Sequence, residues 1–214
     1  MSPTAGSNFR CGDPMPNSRA PWSIIGLLLT AAVASPVSAQ WSVGMSVGAA
    51  RFSGGAEEPS TGRSLLPYRP TLLQVGVSRV AGRIGVELHV HYASSSLAFE
   101  GKEAVVAIKD GLEVYGATPE LSVRVTRLGP GGVLRAYAGP VFEVWKLDDA
   151  TSHSRVGAAA ALGLEVPFGR RWAGSARIGG SVMRSPFAQE DLDEGLEPRA
   201  LWRREVSAGL NYRM

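Results

Sequence analysis

Three residues able to bind a metal or move a proton alternate in the segment Arg83–Tyr92, whose sequence is RIGVELHVHY. Glu87, His89 and His91 are spaced two apart, and a carboxylate with two imidazoles is a ligand set that zinc accepts. The same spacing arises in any β-strand, because alternate side chains project from one face. His-x-His without further ligands is a weak metal signal. We therefore interpret the three residues as the polar face of a strand.

The segments around this strand repeat the same alternation along the chain after residue 39. In WSVGMSVGA, for example, Trp41, Val43, Met45 and Val47 share one face, and serine and glycine occupy the other. Period-two alternation predicts half-buried strands, and no helical stripe of useful length is present. About eight such segments predict an all-β protein. They begin at Trp41, Thr71, Arg83, Glu120, Val133, Arg155, Arg171 and Arg204.

The connections between these segments alternate in length. Residues 53–70 (SGGAEEPSTGRSLLPYRP) form a long connection, whereas VAGR, LGPGG and FGRR are short ones. This rhythm is typical of an up-and-down barrel across an outer membrane, with short periplasmic turns and longer outer loops. Segments of about 9–11 residues match the length that crosses a bilayer when tilted. The sequence therefore predicts an eight-stranded antiparallel up-and-down transmembrane β-barrel over residues 40–214.

The two faces of the segments differ in the way a membrane barrel requires. One face carries Val, Leu, Ile and Met, and the other carries Ser, Gly and Ala with isolated charges, which suits a narrow lumen. A secreted soluble barrel that binds a small apolar ligand also alternates and is an alternative. Aromatic residues near the strand ends predict the girdles of a membrane barrel. They are Trp41, Phe168, Trp172 and Tyr212 at the periplasmic end, with Tyr92 and Trp202 at the other.

The N-terminal region predicts export. Arg19 precedes an apolar run over residues 24–34, and Val37-Ser38-Ala39 is a small-residue cleavage site. This order is typical of a secretory signal peptide, and the run is too short to cross a bilayer as a helix. We expect residues 1–39 to be removed, with Met15 as a possible true start. The single cysteine, Cys11, precedes the cleavage site, so the mature chain has no disulfide.

The composition excludes two broad classes of protein. The chain has 44% hydrophobic and 19% charged residues, which is too apolar for a disordered protein. Its formal net charge is only +3, and no dense basic block is interleaved with aromatic residues. We therefore expect no nucleic acid among its partners.

These features together resemble the small outer-membrane β-barrel family, the eight-stranded proteins similar to the membrane domain of outer-membrane protein A. The resemblance rests on the signal peptide, the loop rhythm and the C-terminal strand EVSAGLNYRM. It implies an outer-membrane location, contact with outer-membrane lipid and lipopolysaccharide, and recognition of the C-terminal strand by the barrel-assembly machinery. Members commonly end in phenylalanine or tryptophan, whereas this chain ends in Met214 with Tyr212 two residues earlier.

In such a barrel the polar faces of the strands meet in the lumen. An unpaired buried charge costs several kcal/mol, so we predict a network of salt bridges and hydrogen bonds that fills the barrel. We expect no metal, no cofactor and no enzymatic activity, and a structural, adhesive or protective role. The predicted network consists of Glu87, His89, His91, Arg124, Arg135, Glu143, Glu165, Arg177, Glu205 and Arg213.

The main alternative function is a lipid A-modifying barrel enzyme. A deacylase of that kind carries a histidine and a serine two apart on the lipid-facing surface, whereas Ser94 lies three residues after His91, which points inward. Asp148, Asp149 and His153 are similar to the acidic residues and histidine of barrel proteases. Those proteases have larger barrels, so a solvated loop is the preferred interpretation.

Overall fold

The computed structural model describes residues 39–100, 105–129, 131–147, 152–187, 189, 192 and 195–214. Residues 1–38 of the predicted signal peptide, Asp148 and Asp149 lie outside the described residues. Every strand is antiparallel to its neighbours in chain order, and β1 closes onto β8, which confirms the predicted eight-stranded barrel. The strands are β1 Gln40–Glu58, β2 Arg63–Ala81, β3 Ile84–Glu100, β4 Val105–Leu128, β5 Gly132–Leu147, β6 His153–Pro167, β7 Trp172–Met183 and β8 Glu197–Arg213.

The two ends of the barrel differ. At one end, which we name the turn end, lie the short turns 82–83 and 168–171, the residues Gly129 and Gly131, and Gln40 and Met214. The opposite end is the loop end. At the turn end Gly82 and Gly131 have φ angles of 63° and 100°, a conformation that glycine adopts without steric cost. Met214 N donates to Trp41 O at 2.9 Å, which continues the β1–β8 closure to the last residue.

The strands have from 12 residues in β7 to 24 in β4, and all except β7 are longer than the sequence predicts. Most of the predicted loop 53–70 belongs to β1 and β2, and only residues 59–62 form its turn. Antiparallel hydrogen bonding between backbones does not require polar and apolar residues to alternate, so a strand can continue where neither of its faces is apolar. A register shift between Ala49 and Ala56, and a positive φ of 45° at Arg69, interrupt the alternation further.

The outer surface of the barrel is apolar on every strand. Met45 is 68% exposed and Ile178 is 61% exposed. The residues that alternate with the exposed ones along each strand face the lumen. No helix in the described part of the chain is long and apolar enough to cross a membrane. The exposed aliphatic residues include Val43, Val47, Leu73, Val75, Leu88, Val90, Leu121, Val123, Val125, Val144, Val156, Leu162, Val206 and Leu210.

Candidate functional site in the barrel lumen

The loop-end half of the lumen is apolar, in contrast to the predicted polar filling. Phe52 and Trp145 pack edge-to-face with ring centroids 5.8 Å apart, and Leu72, Val141 and Leu201 are completely or almost completely buried beside them. These buried residues form one apolar cluster in this half of the lumen. Leu72 and Trp145 lie on strand portions close to the predicted loops, where the alternation of the sequence is weak.

A first charged cluster lies on the turn-end side of this apolar cluster. Arg177 donates two hydrogen bonds to Glu120, from Nη1 at 2.8 Å and from Nη2 at 2.5 Å. His89 Nε2 lies 3.2 Å from a Glu87 oxygen and 3.8 Å from Glu120 Oε2. The guanidinium of Arg177 also lies 4.7 Å above the Tyr137 ring, a favourable cation–π geometry. Sequence reasoning missed Glu120 because it is the first residue of its alternating segment.

A second charged cluster contains the other histidine. Arg203 donates a short hydrogen bond to Glu143, and His91 Nε2 lies 3.1 Å from Glu143 Oε1. Arg203 Nε also lies 3.1 Å from Glu205 Oε2. All four side chains are buried. Arg203 was missed because it precedes the last alternating segment, and its inward direction becomes clear only from the extension of β8.

The three residues that suggested a metal site are therefore divided between two clusters. Glu87 and His89 contact each other, whereas His91 contacts Glu143 on β5. Among the residues that the structure describes, no group of three or more His, Cys, Asp or Glu side chains could hold a metal ion. The imidazoles act here as hydrogen-bond partners of carboxylates.

The turn-end half of the lumen contains a cavity of about 550 Å³ with mostly polar walls. Arg213 on its wall donates two hydrogen bonds to Glu165, including one from Nε at 3.2 Å. Arg124 and Arg135 face each other directly across the β4–β5 ladder and line the same cavity. The structure thus brings eight of the ten predicted network residues into ion pairs or hydrogen bonds but leaves these two arginines facing each other.

Two solved structures match this architecture over nearly their whole length. The outer membrane protein OprG from Pseudomonas aeruginosa is 12% identical, over 83% of this chain and 97% of its own, with a TM-score of 0.56. Neisserial surface protein A is 10% identical, over 83% of this chain and 99% of its own, with a TM-score of 0.57. The chain has the fold of the small eight-stranded outer-membrane β-barrels. No protein-family model and no curated protein sequence matches it.

The aromatic residues of this small outer-membrane barrel fold lie in two groups. At the turn end the Trp172 and Tyr212 rings are 5.1 Å apart. The Tyr212 hydroxyl accepts a hydrogen bond from Arg171 at 2.8 Å, which raises the pKa of Arg171. In the loop-end half Tyr92 packs on Tyr115, which sequence reasoning had placed in a loop. Four of the six predicted girdle residues, Trp41, Phe168, Trp172 and Trp202, are exposed on the outer face.

Residues 185–187, which follow β7, are buried against the loop end of the barrel. Arg155 donates to Ser185 O at 2.5 Å and to Pro186 O at 3.2 Å, and Ser185 Oγ donates to Gly55 O at 2.8 Å. Phe187 packs in a second apolar cluster with Ala56, Leu65 and Leu196. We name residues 185–187 the cap, because these contacts attach them to β6 and to the extended parts of β1 and β2.

Proposed function

We propose that the protein is a non-enzymatic integral outer-membrane protein with a structural, adhesive or protective role. The observation that carries this proposal is the apolar outer surface, to which all eight strands contribute. Soluble monomers rarely expose contiguous apolar patches larger than a few hundred Å². The height of the apolar surface is also that of a membrane-spanning barrel. Tyr212 and Trp202 are ten residues apart on β8, which corresponds to roughly 25 Å along the barrel axis for a strand tilted about 40°.

The arrangement of polar groups favours this role over both alternatives. A soluble barrel for a small apolar ligand would have an apolar interior and a polar exterior, and this barrel has charges at the centre of its lumen. A lipid A-modifying enzyme would present its catalytic groups to the bilayer. His91 instead points inward and is 3% exposed, against Glu143.

A pair of outward arginines supports lipopolysaccharide as the lipid partner. Arg51 and Arg204 are direct cross-strand partners on β1 and β8, and both are exposed on the outer face towards the loop end. Like charges at such positions repel each other, and a phosphate group between two guanidiniums relieves the repulsion with charge-assisted hydrogen bonds.

We further propose that the assembly machinery recognises β8, the last strand, which closes the barrel against β1.

Cell fractionation combined with gel migration tests the location. The protein should remain in the detergent-extracted outer-membrane fraction and migrate faster unboiled than boiled. An epitope tag in the turn 59–62 should be reached by antibodies on intact cells, and a tag in the turn 82–83 should be reached only after the outer membrane is opened. A soluble periplasmic protein would contradict the location, and the reverse labelling pattern would contradict the orientation.

A further inference from the structure

We propose that the turn-end cavity is a binding site for a small multivalent oxyanion of the phosphate or polycarboxylate class, held between Arg124 and Arg135. The site depends only on the geometry of the lumen. The proposed membrane orientation adds that its open end faces the periplasm.

The first support is the position of the two arginines. Arg124 and Arg135 are direct cross-strand partners on β4 and β5, and both line the cavity. Like charges directly opposite each other in an antiparallel pair destabilise the sheet. A multivalent anion between the two guanidiniums would replace their repulsion by attraction to the anion, because each guanidinium can donate two parallel hydrogen bonds to one oxyanion.

The second support is the unmet hydrogen bonding of Arg135. Its side chain is buried, with 6% of the residue exposed, yet Nε and Nη1 have no hydrogen-bond partner. Leaving donors of a buried charged group unsatisfied is costly, and arginine cannot avoid the cost by losing its proton. Because Arg135 also lines the cavity, a ligand there could supply the acceptor that the described residues do not.

The third support is that the nearby carboxylates already have partners. Glu165 accepts hydrogen bonds from Arg213, Glu120 accepts two from Arg177, and Glu87 contacts His89. Among the described residues, neither Arg124 nor Arg135 makes an ion pair. The cavity therefore carries an excess of positive charge, to which Arg127 on the same wall adds.

The size and walls of the cavity define the class of ligand. A volume of about 550 Å³ accommodates an anion as large as pyrophosphate or citrate together with water. Residues of the turn end, including Gln40, Gly82 and Gly131, form its rim, so the ligand would enter from that end. The remaining walls offer hydroxyl and amide groups from Ser42, Ser78, Ser175, Ser207 and Asn211.

Calorimetric titration of the protein purified from membranes of cells that express the full chain tests the site. Pyrophosphate and citrate are titrated separately in nonionic detergent at constant ionic strength. We expect one molecule of at least one of them to bind per barrel, and Arg135→Gln or Arg124→Gln to weaken its affinity at least about tenfold. Arg199→Gln, which removes an exposed arginine from the loop end, is the matched control and should bind like the wild type.

A second measurement does not depend on the variants folding well. The better of the two anions should raise the thermal unfolding midpoint of the wild-type protein more than sodium chloride of the same ionic strength does. The absence of binding heat and of this midpoint shift with both anions would overturn the proposal. Equal affinity of the wild type, Arg135→Gln and Arg199→Gln would overturn it too.

Discussion

Arg177 and Glu120 form a bidentate ion pair across the lumen, with Nη2 2.5 Å from Oε1 and Nη1 2.8 Å from Oε2. The two residues come from β7 and β4, which are not neighbours in the barrel. The Glu120 side chain has no exposed surface. This pair therefore connects two walls of the barrel that share no backbone ladder.

Removing one partner of this pair should destabilise the barrel strongly. We expect Glu120→Ala to lower the free energy of unfolding by about 3–5 kcal/mol, because Arg177 would remain buried without its carboxylate. Glu165→Ala should cost less, since the Glu165 and Arg213 side chains are 21% and 24% exposed and water can replace part of their interaction. Urea unfolding of the refolded protein in lipid vesicles measures both values. Replacing both Glu120 and Arg177 by methionine should recover most of the loss; equal losses for Glu120→Ala and Glu165→Ala would contradict this account.

The two histidines should contribute less than the charge pairs. Removing an imidazole takes hydrogen bonds away from Glu87 or Glu143 but breaks no guanidinium–carboxylate pair, and each such hydrogen bond contributes about 1 kcal/mol. We expect His89→Ala and His91→Ala to be milder than Glu120→Ala in the same unfolding experiment, and a chelator to have no effect on the wild type. Chelator-sensitive stability that disappears in His89→Ala would indicate a metal site instead.

A charge on the outer surface should be far less tolerated than a charge in the turn-end cavity. Leu88 is 48% exposed on the outer face, where the proposed function places lipid. Leu88→Arg should cost about 2–4 kcal/mol near the bilayer centre. Ser175→Arg is the control, because Ser175 lines the cavity and is the cross-strand partner of Glu165. Similar effects of the two substitutions in a refolding titration would argue for a soluble barrel.

The cap should loosen without unfolding of the barrel when its aromatic anchor is removed. Phe187 is 3% exposed in the cluster with Ala56, Leu65 and Leu196. Phe187→Ala should therefore speed trypsin cleavage after the exposed Arg184 several-fold, because large-to-small changes in a packed cluster cost about 3–5 kcal/mol. On a gel, the unboiled variant should still migrate faster than the boiled variant, as a folded barrel does. Unchanged cleavage would show that the Arg155 and Ser185 hydrogen bonds are sufficient to hold the cap.

The first hairpin of the loop end should contain an unusually acidic carboxyl group. Hydrogen bonds from the hydroxyls of Thr61 and Ser60 lower the pKa of Glu58 from its ordinary value of 4.5. Thr61→Ala removes the larger of these effects, so the pKa of Glu58 should rise. Carboxyl NMR titration of the protein in detergent measures the change, with Ser64→Ala in the same hairpin as the control. An identical midpoint in the wild type and Thr61→Ala would contradict the hydrogen bond.

The fold could be predicted from the sequence because each strand carries its own signal. Val43 and Met45 alternate with Gly44 and Ser46 in the first strand, and a one-residue slip would exchange the two faces of the barrel. The positions of the turns follow from the short connections. The ends of the strands could not be predicted, because outside the apolar band the hydrogen-bonded ladder continues without any alternation. Tyr115 was therefore read as part of a loop although it lies within β4.

Within the alternating segments, the sequence by itself determined which side chains enter the lumen, because their direction depends only on the local period of the strand. Only the tertiary structure decided how they pair. Glu120 is 57 residues from Arg177, and Glu143 is 60 residues from Arg203, and these groups approach each other only when β1 and β8 close the barrel. The register of β4 against β5 also placed Arg124 directly opposite Arg135, a pairing that the alternation within either strand does not contain.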